Sequence, residues 1–574
     1  MAVNSSPWRA RWLSARAPLL LAILTFLAYS NSFTGGFTLD SKQAILQDQR
    51  VHEATGHNLD LIVEHTYWWP YDESGLYRPL TTLSFLFNYA ILGNQADPVG
   101  YHAFNLLLHL ANVLLLYALA RRYTPYALAV AALWAVHPVL TESVTNLVGR
   151  ADLLAAFGIL AALWFYTAED NRFWLPGMAV ATAIAVFSKE SAVVLPALLP
   201  LFDRERRKLV RGLIATAIPI AAMLAARTAV LAGALPRFVP FTDNPISGAG
   251  FVTAKLAALS VLGRYIWLLV WPARLSADYS FHQIPVAANW AAIATLGIAV
   301  AIAIRWNWRA GAFFAIAILP VSNLLFPIGT IMAERFLYLP AIVVALALAH
   351  LWRRPAGRIA VCAIVLAFAA RTWARNPDWH DDRAMAESLV RTSPASFKGH
   401  RLLAYELFQS HDNSARVLDE AEKSVAPLEE IPDVQDAAET WRLAGGYFAA
   451  AGKYQRSAEL LERALRIVRA QKARVGDATY AGMPNLLDNL ADDYLALGRR
   501  DDAAITLMTG QLTTGNLIFR NRLLELYRGD GCALMPGPNG PAINPQCPAV
   551  HQHLCAAIER AGTTAESSTY GCNK

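Results

Sequence analysis

Charge is scarce in this chain: Asp, Glu, Lys and Arg make up 16% of its 574 residues, against 55% hydrophobic ones. A soluble domain carries nearer a quarter charged residues, so the shortage excludes a wholly water-soluble protein. Cysteine is scarce too, at five residues with no CxxC pair, which argues against a zinc site of the finger type. No P-loop, GxGxxG or HExxH occurs, which leaves no motif for soluble nucleotide chemistry. The net charge of +6 and the pI near 9.0 come from arginines in short loops between apolar runs. That distribution is a membrane-topology signal and not a nucleic-acid footprint.

Apolar runs begin near residues 18, 102, 124, 151, 173, 191, 209, 287, 310, 336 and 357. Each approaches the roughly 17–25 residues needed to cross a hydrocarbon core. The first, from Pro18 to Phe33, follows Arg9, Arg11 and Arg16 and is expected to stay as an anchor, with no cleaved signal peptide. With about eleven spans, Arg121 and Arg122, the AEDNR turn ending at Arg172, the DRERRK run at 203–208, Arg305 with Arg309, and Arg353, Arg354 and Arg358 share one side. The positive-inside rule makes that side cytoplasmic, together with the N-terminus, and puts everything after about residue 374 outside. One segment, from Lys255 to Pro272, breaks the count and carries Arg264 near its middle. It is expected to be re-entrant or to lie along the outer interface.

The outer loops are then 35–100, 137–150, 188–191, 232–286 and 327–336, and they hold most of the unusual residues. The first has Asp40 behind a flexible Gly35-Gly36 pair, the aromatic stretch HTYWWPYDE and YRPL at 77–80. The others contribute HPVLTESVTNLVGRAD, SKES and IGTIMAERFLYLP. Ionisable groups at a membrane edge are costly, so several converging on one face mark a functional site.

After RTWARNPDWHDD the composition turns charged and helical, which places a domain boundary near 375. From Glu439 to Leu465, residues Trp441, Ala444, Gly445, Phe448, Gly452, Tyr454, Leu461 and Ala464 have the spacing of a tetratricopeptide helix pair. A second copy places Leu487, Leu490, Ala491, Tyr494, Gly498 and Ala503 alike, and a weaker unit covers Phe397 to Val425. Gly452 and Gly498 are about 46 residues apart, longer than the 34-residue repeat, so the array is degenerate or carries an insertion. Such a solenoid binds a partner on its concave face or simply caps the membrane part. Cys362 lies in an apolar run and reads as packing, while Cys532, Cys547, Cys555 and Cys572 read as two disulfides with three pairings open. The expected organisation is all-α: a multi-span membrane domain over 1–374, repeats over 375–525 and a cysteine-rich tail over 526–574.

A multispan core with acids and arginines on one face suits a lipid substrate, a polyprenyl phosphate carrying a sugar. Arginine or lysine would hold the phosphate, and a carboxylate would take the proton of an acceptor hydroxyl as it attacks the anomeric carbon. The segments FTLDSKQAI, YRPLTTLSFLFNY, YHAFNLLLHLANVLLLY, AVHPVLTESVTNLVGRADLLA, FSKES and AERFLYLP, in that order before the repeats, resemble the transmembrane and tetratricopeptide repeat O-mannosyltransferases and their bacterial relatives. These belong to the GT-C glycosyltransferase superfamily, and the resemblance covers the chain to about residue 510. It implies a GT-C membrane domain, a polyprenyl-phosphate-linked sugar donor, a protein or glycan acceptor, and a bacterial inner-membrane protein with periplasmic repeats. It also implies that Asp40 is the general base. In that family two acids commonly stand together, whereas here the second position is Ser41. A mechanism without a metal cofactor follows from that departure.

Each candidate also has a structural reading. Asp40 could cap a helix, and Glu142, Arg150 and Asp152 could form an ion network at the end of a span. Arg335 could pair with neighbouring Glu334, or could hold a lipid phosphate, as could Arg78 and the Lys189-Glu190 pair. His102, Asn105 and His109 share a helix face and are expected to hydrogen-bond a neighbouring helix instead of holding a metal. Tyr67, Trp68 and Trp69 could stack on a sugar or form an interfacial belt. Asp278 and His282 lie in an outer loop without an assigned role. Two other classes fit the composition, a lipid or solute transporter and a non-catalytic scaffold whose repeats recruit partners. The transporter predicts ionisable residues in mid-span, whereas these lie at span ends.

Overall fold

The computed structural model describes residues 7–70, 75–168, 172–232, 239–412, 414–475, 480–538, 540–562 and 570–572. The end of the HTYWWPYDE stretch, residues 71–73, most of the AEDNR turn, 169–171, and part of the 232–286 loop, 233–238, lie outside the described residues. The chain forms two units, Met1–Pro394 and Ala395–Lys574. The boundary falls after the composition change near 375, because the segment that follows is bound to the first unit. Asn376 donates to the Ala28 carbonyl at 3.0 Å, and Ser393 donates to Ser276 at 2.8 Å.

The first unit is helical. Among the described residues, seven of its helices are long and apolar enough to cross a membrane: Arg16–Thr34, Val99–Ala120, Leu147–Thr167, Arg206–Val230, Phe251–Val270, Trp290–Val321 and Pro355–Trp379. The expected eleven runs are all helical, but several are interrupted. Ala127–Ala135 and Pro138–Val144 form one pair bent by 52°, at a proline that cannot donate a helix hydrogen bond. Trp174–Ser188, Glu190–Phe202 and Ala341–Arg353 are shorter apolar helices. The runs from 287 and 310 form two helices that meet at Asn307, whose backbone is extended. A Cβ on Gly311 would come within 2.7 Å of the Ala303 Cβ, although eight residues of straight helix span about 12 Å. The two halves therefore fold back on each other. Phe251–Val270 is tied at both ends to one end of the bundle. Lys255 donates to the Leu324 carbonyl, and His137 Nε2 meets the Leu269 carbonyl at 2.9 Å.

Close helix approach sets the core. A Cβ at Gly158 would lie 2.4 Å from the Ala181 carbonyl, so only glycine lets Arg150–Thr167 pack this tightly on Trp174–Ser188. Much of the polar face of Val99–Ala120 is engaged in hydrogen bonds. His109 meets the Tyr338 hydroxyl at 2.7 Å and the Ala135 carbonyl at 2.9 Å, Asn105 accepts from Arg150, and His102 meets the Gly35 carbonyl at 3.1 Å. At one end of the helices the connecting segments bind one another. Tyr77 N–H donates to Glu190 at 2.8 Å, Asn244 to the Ile328 carbonyl at 2.8 Å and Thr145 to Asn376 at 2.8 Å.

The second unit pairs Phe397–Gln409 with Ser414–Val425, Ala438–Ala450 with Tyr454–Val475, and Met483–Ala496 with Arg500–Thr514. Trp441, Ala444, Phe448, Leu461 and Ala464 are buried, as are Leu487, Leu490, Ala491, Tyr494 and Ala503. Gly452 and Gly498 turn the chain at φ +72° and +73°, a conformation open to glycine. Leu517–Leu526, an antiparallel hairpin pairing Leu534 with Ile543, and Pro548–Ala561 follow. Cys532 is bonded to Cys547 and Cys555 to Cys572, which selects one of the three possible pairings. Cys362 is free and exposed, not packed.

Candidate functional site

A cavity of about 1300 Å³ opens in the first unit where these connecting segments meet. Asp40, Arg78, Asp152, Lys189, Glu190 and Arg335 all line it. They come from five stretches separated in sequence, most of them at the ends of helices. Arg78 stands immediately before Pro79, which occupies the first turn of Pro79–Leu86. Asp152 lies in the first turn of Arg150–Thr167, where an acid complements the helix dipole. Lys189 is extended, at φ −155° and ψ 130°, between two helices.

The charges are mostly paired, and not with their sequence neighbours. Lys189 Nζ is 2.5 Å from Asp152 and its ammonium lies 5.4 Å from the centre of the Phe336 ring. Burial pulls the Lys189 ammonium below its ordinary range, with Asp152 opposing that effect. Arg78 Nε donates to Glu190 at 3.0 Å and its guanidinium lies over the Tyr67 ring. Arg335 donates its backbone N–H and its Nη1 to Glu142, at 2.8 and 2.6 Å. Burial opposes the Arg335 charge, but Glu142, Asp152 and Asp40 outweigh it and hold its pKa above the ordinary value. Asp40 differs from the other acids. It is exposed to the cavity, and among the described residues no hydrogen-bond donor or ion-pair partner holds its carboxylate.

Three predicted site residues lie beneath or beside the cavity and do not line it. Glu142 is 1% exposed and acts through Arg335. Arg150 is fully buried and donates to Asn105 at 2.8 Å, Asn88 at 2.6 Å, the Ser84 carbonyl at 3.0 Å and the Tyr101 carbonyl at 3.2 Å. It is a structural strut, because five fixed donors suit four acceptors from three segments. Glu334, also fully buried, accepts from Arg375 at 3.0 Å, Ser276 N–H at 2.5 Å and the Tyr279 hydroxyl at 2.6 Å. Burial, with Arg375 opposing it and Glu142 adding to it, pushes the Glu334 carboxyl up to about 7. Arg335 does not pair with neighbouring Glu334, the structural alternative for this residue: the turn over Glu334–Leu337 gives the two side chains different partners.

Tyr67, Trp68 and Trp69 line the cavity, and His65 stacks on Trp69 at 4.6 Å between ring centres. Asp278 is engaged with Ser280 at 2.8 Å. Ser41 is buried and donates to the Thr38 carbonyl at 2.6 Å, so this position does not face the cavity. The Gly35-Gly36 pair is clamped, with Gly36 N–H on the His380 carbonyl at 2.6 Å. Arg227, Asp243 and Asn146 also line the cavity; the sequence alone singles out none of them by residue, although Asn146 lies in the segment HPVLTESVTNLVGRAD. Arg227 reads as the end of a span, yet its guanidinium turns in to the Gly75 carbonyl at 3.0 Å.

The family described as "Dolichyl-phosphate-mannose-protein mannosyltransferase" matches residues 80–241. The chain is 26% identical over 452 residues to the human protein O-mannosyl-transferase TMTC3, covering 67% of this chain and 49% of that one. To mouse TMTC4 it is 26% identical over 496 residues, covering 70% and 65%. To Drosophila melanogaster Tmtc2 it is 30% identical over 291 residues, covering 46% and 31%. The chain spans about half the length of the first curated relatives it matches.

Proposed function

We propose, for a chain that belongs to the TMTC- and PMT-like family of GT-C membrane proteins, that it transfers a mannose-like sugar from a polyprenyl-phosphate donor to a hydroxyl of a protein Ser/Thr or glycan acceptor. The observation that carries this reading is Asp40. It is a carboxylate with no partner among the described residues, in a cavity where Arg78, Lys189 and Arg335 are each held by another acid.

Asp40 accepts the acceptor hydroxyl proton as the oxygen attacks the anomeric carbon. The bond from that carbon to the phosphate oxygen breaks, and its electron pair leaves with the polyprenyl phosphate. Arg335, Lys189 and Arg227 stabilise the departing phosphate, and Arg78 orients the Tyr67 ring toward the sugar. These cations face the departing phosphate, Lys189 and Arg335 each also paired with an acid, and the proposed step uses no metal. Glu142 and Asp152 are positioning residues acting through Arg335 and Lys189. The site faces the extracytoplasmic side of a bacterial inner membrane, with the N-terminus cytoplasmic and Phe251–Val270 lying along the outer interface. The repeats bind the acceptor.

The test uses the purified full-length chain, a radiolabelled polyprenyl-phosphate mannose and membrane-protein acceptors. Wild type transfers label and Asp40→Asn does not. Equal transfer by both removes Asp40 from the mechanism, and transfer by neither favours a scaffold.

A further inference from the structure

The segment carrying Asp40 is held from outside the cavity by one carboxylate. Asp382 accepts the Leu39 backbone N–H on Oδ1 at 2.8 Å and the Lys42 ammonium on Oδ2 at 2.5 Å. Asp40 and Ser41 lie between these two points; Ser41 Oγ is itself pinned by the Thr38 carbonyl, and Gly36 N–H by the His380 carbonyl.

Leu39 needs that support. Its φ is +46°, in the left-handed region where a side chain with a Cβ is strained. Its side chain is 37% exposed, so packing does little to impose the conformation. Such backbone geometry persists where surrounding contacts over-determine it, and the bond to Asp382 is one such contact. Asp382 has no competing duty at the start of its own helix. The cap of Asp382–Thr392 is Asp381, which accepts Ala384 N–H at 2.8 Å. Asp382 itself is mostly buried and does not line the cavity.

We propose that Asp382 is a positioning residue: its carboxylate holds Leu39 left-handed and so aims the Asp40 carboxylate into the cavity. This rests on the reading of Asp40 as the base. It also gives a function to the NPDWHDD stretch, whose composition places it with the soluble half.

The experiment measures kcat, donor KM and thermal midpoint of the full-length chain for Asp382→Ala, Asp382→Asn, Leu39→Gly/Asp382→Ala and Asp40→Asn. Asp382→Ala lowers kcat about tenfold or more with donor KM within about twofold, since binding is intact and the base is misaimed. Asp382→Asn loses less, because its amide oxygen still accepts the Leu39 N–H. The double variant regains most of the lost kcat, because glycine adopts φ +46° without the strain that a Cβ imposes. A role in stability alone would move the thermal midpoint and not be rescued in kcat by glycine. Wild-type kcat in Asp382→Ala overturns the proposal, as does a double variant as slow as Asp382→Ala. If Asp382→Ala does not fold, wild-type kcat in Asp382→Asn together with an unrescued double variant overturns it. Full activity in Asp40→Asn instead overturns the underlying assignment, whereas a dead Asp40→Asn beside a normal Asp382→Ala overturns only the positioning.

Discussion

Replacing Glu142 by glutamine tests the chain of support beneath the cavity. The carboxylate is 1% exposed and receives two hydrogen bonds from Arg335, whose own side chain is 35% exposed. Bonds to a charged group contribute about 1.5–3 kcal/mol each. Glutamine keeps one acceptor oxygen but turns an NH₂ toward the other donor, so one bond and the ionic attraction are lost. Solvent at the arginine screens part of the attraction, leaving a net loss of about 2–3 kcal/mol. If Arg335 holds the donor phosphate into the transition state, that loss lowers kcat/KM about 30- to 150-fold. Initial rates over a range of polyprenyl-phosphate mannose concentrations measure it, with Glu142→Asp as the control that keeps the charge. A folded Glu142→Gln variant within about threefold of wild type would refute the argument that Arg335 acts on the donor through this pair.

Two further outcomes concern stability. Arg150→Lys forfeits the fork that reaches Asn88, Asn105 and two carbonyls, and destabilises the first unit by about 3–5 kcal/mol. Its yield of folded protein and thermal midpoint fall while the donor KM of the folded fraction stays unchanged. Asp493 is buried, and burial raises its pKa to about 6, with the Ser457 hydroxyl opposing the shift. Because the folded value lies above the unfolded one, its contribution to stability is fully present below about pH 4 and is lost as pH rises through about 6. Asp493→Asn is then more stable than wild type at pH 7.5, by up to about 3 kcal/mol, and equal to it near pH 4. Hydrogen exchange of Met483–Ala496 in the full chain reads the difference, and no gain at pH 7.5 would contradict the assignment.

The membrane helices and the repeats were legible because each is a short-range periodicity. An apolar run of bilayer length, or aromatics and small residues at repeat spacing, declares itself within a few turns. The interruptions were harder to read. The chain reverses at Asn307 inside RWNWR, where no proline or glycine marks a turn. The domain boundary near 375 followed the change in composition, whereas Asn376, Asp382 and Ser393 bind the segment after it to the first unit.

Within the site, the sequence by itself determined which residue types stand at the edges of the apolar runs, and six of the nine predicted residues line one cavity. Polarity at a membrane edge is a one-dimensional signal, paid in desolvation wherever the partner is. The choice of partner belongs to the tertiary structure. Glu142 and Arg335 are 193 residues apart, Arg78 and Glu190 are 112 apart, and Asp382 reaches Leu39 across 343. Adjacent charges such as Lys189 and Glu190 instead part company, because the backbone on either side of a helix break turns their side chains to different neighbours. Only the folded chain could separate Asp40, left open among the described residues, from the acids already engaged, because an open carboxylate is defined by the donors that do not reach it.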